Sequence, residues 1–325
     1  MAPKRRDQLT VPLTIGEVQT GLLLTSAAVP VDTAVELLAI VPGGSVRTRQ
    51  RPIRYAWSPL VLTGVDCSAP LADRREVRIV GTPATQVSLT DGHIVQAGTY
   101  ATFRDDSAGR RRPWSHYLAQ PGVLEVLGKA SAENLSAGFL RGPSAATHLD
   151  LGGVNMRALA SIQRSDYLDR TPPFPSRRTR LRWSAETSDG EQDIAFTLGA
   201  DGLRTVRLRV SEPDPRALAD FCADLALHDW LLSTLLDLVD RAVARSRPAA
   251  ELIGMLRPGI DHLVHAWMPA AHASRTLGRI WQELDLRSGF SLQWQKTVER
   301  IRDQVSVGLF EALQPAAASP RSESA

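Results

Sequence analysis

The segment from Asp214 to about Ala244 reads as one helix that is apolar nearly all round. Its apolar set includes Leu218, Phe221, Leu225, Leu232, Leu235, Leu236 and Val239. A surface helix buries one stripe and leaves the rest polar, so a helix of this kind is packed on more than one side. The rest of the chain must supply those covers. Pro215 suits the first turn, where its missing N–H costs nothing. Three more helices follow, over Glu251 to Trp267, Arg275 to Leu286 and Ser291 to Leu313. Pro248, Pro258, Pro269 and Ser288-Gly289 punctuate them. The tail from Pro315 to Ala325 is rich in Ala, Pro and Ser and reads as disordered.

Upstream of this helix the period changes from 3.6 to 2. Strands are expected at Ile15 to Leu24, Val77 to Val80, Gln86 to Thr90 and His93 to Phe103. Asp91-Gly92 between the last two is a hairpin signal. A short helix is expected over Val31 to Ile40, with Asp32 as N-cap and Pro42-Gly43-Gly44 as its stop. A charged loop from Arg104 to Arg112 closes this β-rich region. Then come helical turns at Trp114 to Ala119 and Gly122 to Lys129, a loop-like stretch over 133–152, and a helix over Asn155 to Arg164. Arg178 to Ala185, Asp193 to Leu198 and Arg204 to Val210 read as a three-stranded antiparallel meander, with turns at Ser188-Asp189-Gly190 and Gly199 to Gly202. The class is therefore α+β, with a β-rich part over 1–112, a mixed part over 113–212 and a helical bundle over 213–314.

Composition narrows the class further. Of 325 residues, 43% are hydrophobic, too many for a disordered polyelectrolyte. The chain has 38 basic residues, and only Lys4, Lys129 and Lys296 are lysines. Against 35 acids the net charge is +3, and the excess sits in residues 1–186. Cys67 and Cys222 are too few for a disulfide framework or a four-thiolate zinc site. No signal-peptide pattern opens the chain, and no window approaches the length of a membrane span. A cytoplasmic protein with reduced thiols, and no contact with a membrane, is expected.

Motifs that define common enzymes fail on inspection. Gly122 and Gly128-Lys129 enclose five residues where a phosphate loop needs four, and Ala130 replaces the magnesium-binding hydroxyl. Asn134 stands where a nucleophile elbow around Ser136 and Gly138 needs glycine. His262, His265 and His272 fall in one segment beside Asp261, which suits a metal-assisted enzyme, but Pro269 interrupts the helix that would align them. Asp224 and His228 lie one helical turn apart and read as a buried, hydrogen-bonded structural pair. Trp114-Ser115-His116-Tyr117 reads as an aromatic anchor behind Pro113. No cofactor is expected.

The positive feature is arginine placement. Arg178, Arg180 and Arg182 alternate with Thr179, Leu181 and Trp183, and Arg207 and Arg209 point opposite to Val206 and Leu208. One apolar and one arginine-rich sheet face result. Arginine binds phosphate and carboxylate bidentately, so this face suits nucleic acid, a nucleotide or an acidic partner. The alternative is pairing with acids inside the fold. Arg47, Arg49 and Arg51 form a similar row.

Several stretches together resemble an actinobacterial family of conserved hypothetical proteins. They are Gly16 to Thr20, Leu62 to Cys67, Pro113 to Leu118, Leu168 to Phe174, Ser176 to Trp183, Phe221-Cys222 with His228 to Trp230, Trp267 to Pro269 and Arg300 to Gln304. The resemblance implies a gene cluster that includes a variant P-loop protein and a methyltransferase. It assigns no catalytic residue, ligand or fold. The leading expectation is a non-catalytic interaction or scaffold component of a bacterial multi-protein system, with partners from the same cluster. Nucleic-acid or nucleotide binding through the arginine face is the first alternative.

Overall fold

A computed structural model describes residues 12–105, 109–143, 145–188, 192–199, 202–211, 214–243, 249–270 and 275–313. The expected disordered tail, His272, Pro248 and the centres of the two meander turns lie outside them.

In chain order the elements are β1 (Leu13–Leu22), α1 (Val31–Leu38), β2 (Arg47–Arg49), β3 (Tyr55–Trp57), β4 (Val61–Leu62), β5 (Val65–Pro70), β6 (Glu76–Gly81), β7 (Ala84–Thr90) and β8 (Ile94–Asp105). Then come α2 (Trp114–Leu118), β9 (Val123–Leu127), α3 (Ala132–Arg141), α4 (Leu151–Gln163), β10 (Thr179–Thr187), β11 (Asp193–Leu198) and β12 (Leu203–Val210). The helical part is α5 (Pro215–Val243), α6 (Ala249–His262), a 3-10 turn at Val264–Ala266, α7 (Arg275–Ser288) and α8 (Phe290–Leu313). The protein is α+β, as the change of period requires.

All the strands among the described residues join one mixed sheet. Its main path runs β11-β12-β10-β1-β8-β7-β3-β2, with β4 on β7 and the β5-β6-β9 group attached through β8. The β-rich and mixed parts of the chain therefore share a sheet: β1 pairs with β8 on one side and β10 on the other.

Three expectations are corrected by this topology. The strands β10, β11 and β12 are not an antiparallel meander. β12 inserts between the other two, parallel to β10 and antiparallel to β11. Burial explains the order. Val206, Leu208 and Val210 of β12 are at most 2% exposed, whereas Leu198 at the end of β11 is 60% exposed. The more apolar strand takes the interior place. Gly122 to Lys129 forms β9 rather than a helical turn, because Leu124 and Val126 alternate into the core between β6 and β8. The stretch 133–152 is not a loop: it contains α3, whose N-cap Ser131 accepts a hydrogen bond from the Asn134 N–H.

Smaller differences concern ends. Pro30 rather than Asp32 precedes α1, and Asp32 lies in its first turn. Arg51 falls beyond β2. The helix expected to reach Trp267 ends at His262. The Asp91-Gly92 hairpin forms as expected, with both residues at positive φ (50° and 72°), the signature of a type I′ turn.

Helices cover both sheet faces. On one face α5 lies against β1, β8 and β10, and α6, α7 and α8 pack over it. This core contains Trp183, Val206, Leu208, Phe221, Leu225, Trp230, Leu235 and Trp281. Each such side chain contributes roughly 1.5–3 kcal/mol by leaving water. Trp183 lies flat across Gly16, where a Cβ would sit 2.4 Å from its ring. On the other face α3 packs near β1, β5 and β10, while α1 and α4 cover a second core around Val87, Leu89, Val95 and Ala97. No helix among the described residues is long and apolar enough to cross a membrane.

Candidate functional site

A groove of about 400 Å³ opens between the sheet and α5. Its walls come from four strands and the helix. β2 contributes Arg47 and Arg49, β3 contributes Tyr55 and Trp57, and Ser88 and Gln96 come from β7 and β8. Alternation along β3 sends Tyr55 and Trp57 to this face, while Ala56 enters the core beneath. From α5 come Asp220, Ala223, Asp224 and Leu227, spaced i, i+3, i+4 and i+7 along one face. A narrower extension continues along Gly98, Tyr100, Arg216 and Ala219. Ala219, Ala223 and Gly98 carry little or no side chain and so leave the space between helix and sheet unfilled.

The groove carries both signs of charge. The Tyr55 and Trp57 rings stack at 5.3 Å with an interplanar angle of 11°. The Arg47 guanidinium lies 5.6 Å from the Trp57 ring centroid, a cation–π distance. Burial, opposed by Arg216 and Arg47, pushes the Asp220 carboxyl above the ordinary aspartate range. Burial, assisted by the Asp224 charge, raises the Tyr55 phenol, so it stays protonated. Asp224 Oδ2 accepts from the Ala270 N–H at 2.9 Å. The Gln96 amide donates to Thr20 Oγ1 and to the Ala223 carbonyl, both at 2.9 Å. These bonds tie the helix to the sheet beneath the cavity.

The arginine rows of β10 and β12 lie elsewhere. Arg180, Arg182, Arg207 and Arg209 do share a face, as the registers of β1, β10 and β12 show, but this face is the one covered by α3 and α4. Glu17 on β1 is 0% exposed. It accepts from Arg182 Nε at 2.7 Å and from Arg180 Nε at 3.0 Å. Arg182 is 3% exposed and packs beneath Gly142. Arg207 is half-buried, in register with Ser184 and Ala195. Arg209 is exposed, in register with Glu186 and Asp193. Arg178 stands apart from the Glu17 group, lying across Gly21. Pairing with an internal acid is the alternative that the sequence leaves open, but Glu17, about 160 residues upstream in the chain, carries no signal that names it as the partner.

The described histidines do not converge on a metal site. His228 is buried: its Nδ1 donates to the Asp224 carbonyl at 2.7 Å, and its Nε2 accepts from the Met268 N–H at 3.1 Å. These two bonds set its tautomer and give it a structural place. His265 Nε2 meets Asp91 at 2.6 Å, and His262 packs edge-on to His93 at 4.5 Å. Among the described residues no group of three or more His, Cys, Asp or Glu side chains is placed to hold a metal ion. His116 pairs with Glu125 at 2.6 Å rather than with Ser115.

Tyr55, Trp57, Ser88, Gln96 and Asp220 were not singled out by sequence. The one legible signal was Tyr-Ala-Trp alternation beside the Arg47–Arg49 row. A comparison with protein-family models and with curated proteins finds no match.

Proposed function

We propose that this is a binding protein whose groove takes a nucleotide-like ligand: a planar ring carrying hydrogen-bonding groups and an anionic tail. The observation that supports the reading is one cavity with stacked Tyr55 and Trp57, two arginines at its rim and two aspartates opposite. Its volume falls within the range of small-molecule sites. The aromatic wall suits the ring, and arginine suits a phosphate through paired N–H donors. The carboxylates of Asp220 and Asp224 accept from hydroxyl or amine groups. Titration with adenosine and guanosine monophosphates at low salt tests this. Saturable binding with a change in tryptophan fluorescence is expected, and that change disappears in Trp57→Phe. The double variant Arg47→Ala, Arg49→Ala weakens binding at least about tenfold, since a charge-assisted hydrogen bond contributes roughly 1.5–3 kcal/mol. Absence of saturable binding by millimolar nucleotide counts against the reading.

A second reading is an interaction component of a multi-protein system. It is favoured by the α7–α8 layer, where Leu286 is 88% exposed and Val307, Leu309 and Phe310 are more than half exposed. The partners would be products of neighbouring genes. Co-purification that is lost on Phe310→Glu supports it; recovery as a partnerless monomer counts against it.

A further inference from the structure

On the sheet face opposite the groove, a second concave surface of about 440 Å³ lies where α4 ends over the tip of β1. Arg164, Arg170 and Arg178 line it together with Leu24, Met156 and Ala160. Among the described residues no carboxylate does. Elsewhere in the protein arginines meet acids: Arg54 with Asp91, Arg78 and Arg111 with Asp66, Arg182 with Glu17, Arg204 with Asp229. These three have no side-chain hydrogen bond or ion pair with the described residues. The neighbouring acid is engaged otherwise, since Asp169 accepts from the Ser26 and Thr171 backbone N–H groups and from the Ser26 hydroxyl.

The surface is held in shape. Gln163 bridges α4 to β1, accepting from the Leu24 N–H at 2.8 Å and donating to the Leu22 carbonyl at 3.0 Å. The Arg170 N–H donates to the Leu24 carbonyl at 3.0 Å, and its backbone is left-handed at φ 63°. Left-handed backbone at a non-glycine residue persists only where its surroundings impose it. Arg178 is laid along Gly21, where a Cβ would come within 3.4 Å of its Cγ. Partial burial lowers its affinity for a proton, the expected effect of a cation without a counter-charge.

Charge arithmetic then defines the missing group. Three guanidinium groups face one helix C-terminus, which is equivalent to roughly half a negative charge. About two positive charges or more remain, next to an apolar wall that includes the 57%-exposed Met156. We infer that this surface binds a small organic phosphate, with its dianionic group among Arg164, Arg170 and Arg178 and its apolar body against Leu24, Met156 and Ala160. The inference does not depend on the groove between the sheet and α5.

Calorimetric titration of the full chain with phenyl phosphate, inorganic phosphate and a short oligonucleotide tests it. Phenyl phosphate is expected to bind with one-to-one stoichiometry, more tightly than inorganic phosphate, and more weakly as salt rises. Arg164→Gln and Arg178→Gln each weaken it at least about tenfold with an unchanged melting temperature, since charge-assisted bonds to a dianion are lost. Arg257→Gln, at an exposed arginine elsewhere, and the groove variant Arg47→Ala, Arg49→Ala leave it unchanged. The inference is overturned by no heat of binding at low salt, by binding that survives both Arg164→Gln and Arg178→Gln, by loss only in the groove variant, or by binding of the oligonucleotide alone.

Discussion

Glu17→Gln removes one charge and almost no volume, and it acts on a buried ion pair. The Glu17 side chain is 1% exposed and that of Arg182 is 4% exposed, while Arg180 keeps 47% of its side chain in solvent. Neutralising the carboxylate leaves the Arg182 cation buried without that counter-charge. Breaking a buried pair from one side typically costs about 3–5 kcal/mol, because the remaining charge keeps its desolvation penalty. Arg180 can return to water, so Arg180→Gln costs less than about 1 kcal/mol. For a domain of this size each kcal/mol moves the melting temperature by roughly 2–4 °C, so Glu17→Gln lowers it by roughly 6–20 °C. Urea unfolding followed by circular dichroism measures the loss at constant m-value. The double variant Glu17→Gln, Arg182→Met should recover much of it, because the stranded charge is gone. If Glu17→Gln costs no more than Arg180→Gln, or if the double variant is worse than the sum of the singles, the buried-charge reasoning is refuted.

Two further outcomes follow from the same physical terms. Burial depresses the His93 pKa from 6.5 to about 4, so the unfolded chain binds more protons in that window and stability falls as pH drops from 6.5 to about 4. The Asp91 hydrogen bond raises the His265 pKa above 6.5, so that contribution is complete below pH 6.5 and is lost as pH rises through the raised value. A stability maximum near neutral-to-weakly acidic pH is expected. His93→Gln should flatten the acid limb and His265→Gln the alkaline limb of a pH series of urea melts; unchanged limbs would sink the assignment. In α3, a Cβ on Gly138 would lie 1.9 Å from the Pro70 carbonyl oxygen. Backbone cannot rotate away, so Gly138→Ala should cost about 1–3 kcal/mol; a neutral result in thermal melts would show that α3 can shift.

Local pattern made much of the fold legible. The period-2 segments at 77–80, 86–90, 193–198 and 204–210 are strands because alternation needs only a one-sided neighbour. The apolar helix from Pro215 is central because no single contact could bury it. Strand β9 was hidden because a five-residue apolar run with one acid reads equally well as a helical turn. The groove was hidden for a different reason: it joins Arg47, Trp57, Gln96 and Asp220 from four elements, and no spacing in the chain connects them.

The chain by itself thus determined the class, the double-sided helix α5 and, within each strand, the sharing of a face by Arg180 and Arg182 and by Arg207 and Arg209. Those are consequences of periodicity, which is local. Only the tertiary structure decided what each arginine does. Inserting β1 between β8 and β10 brings Glu17 beneath Arg182, and the end of α4 leaves Arg178 facing Arg164 and Arg170 with no acid among them. Pairing depends on which strand lies next to which, and a period along one strand carries no information about its neighbour.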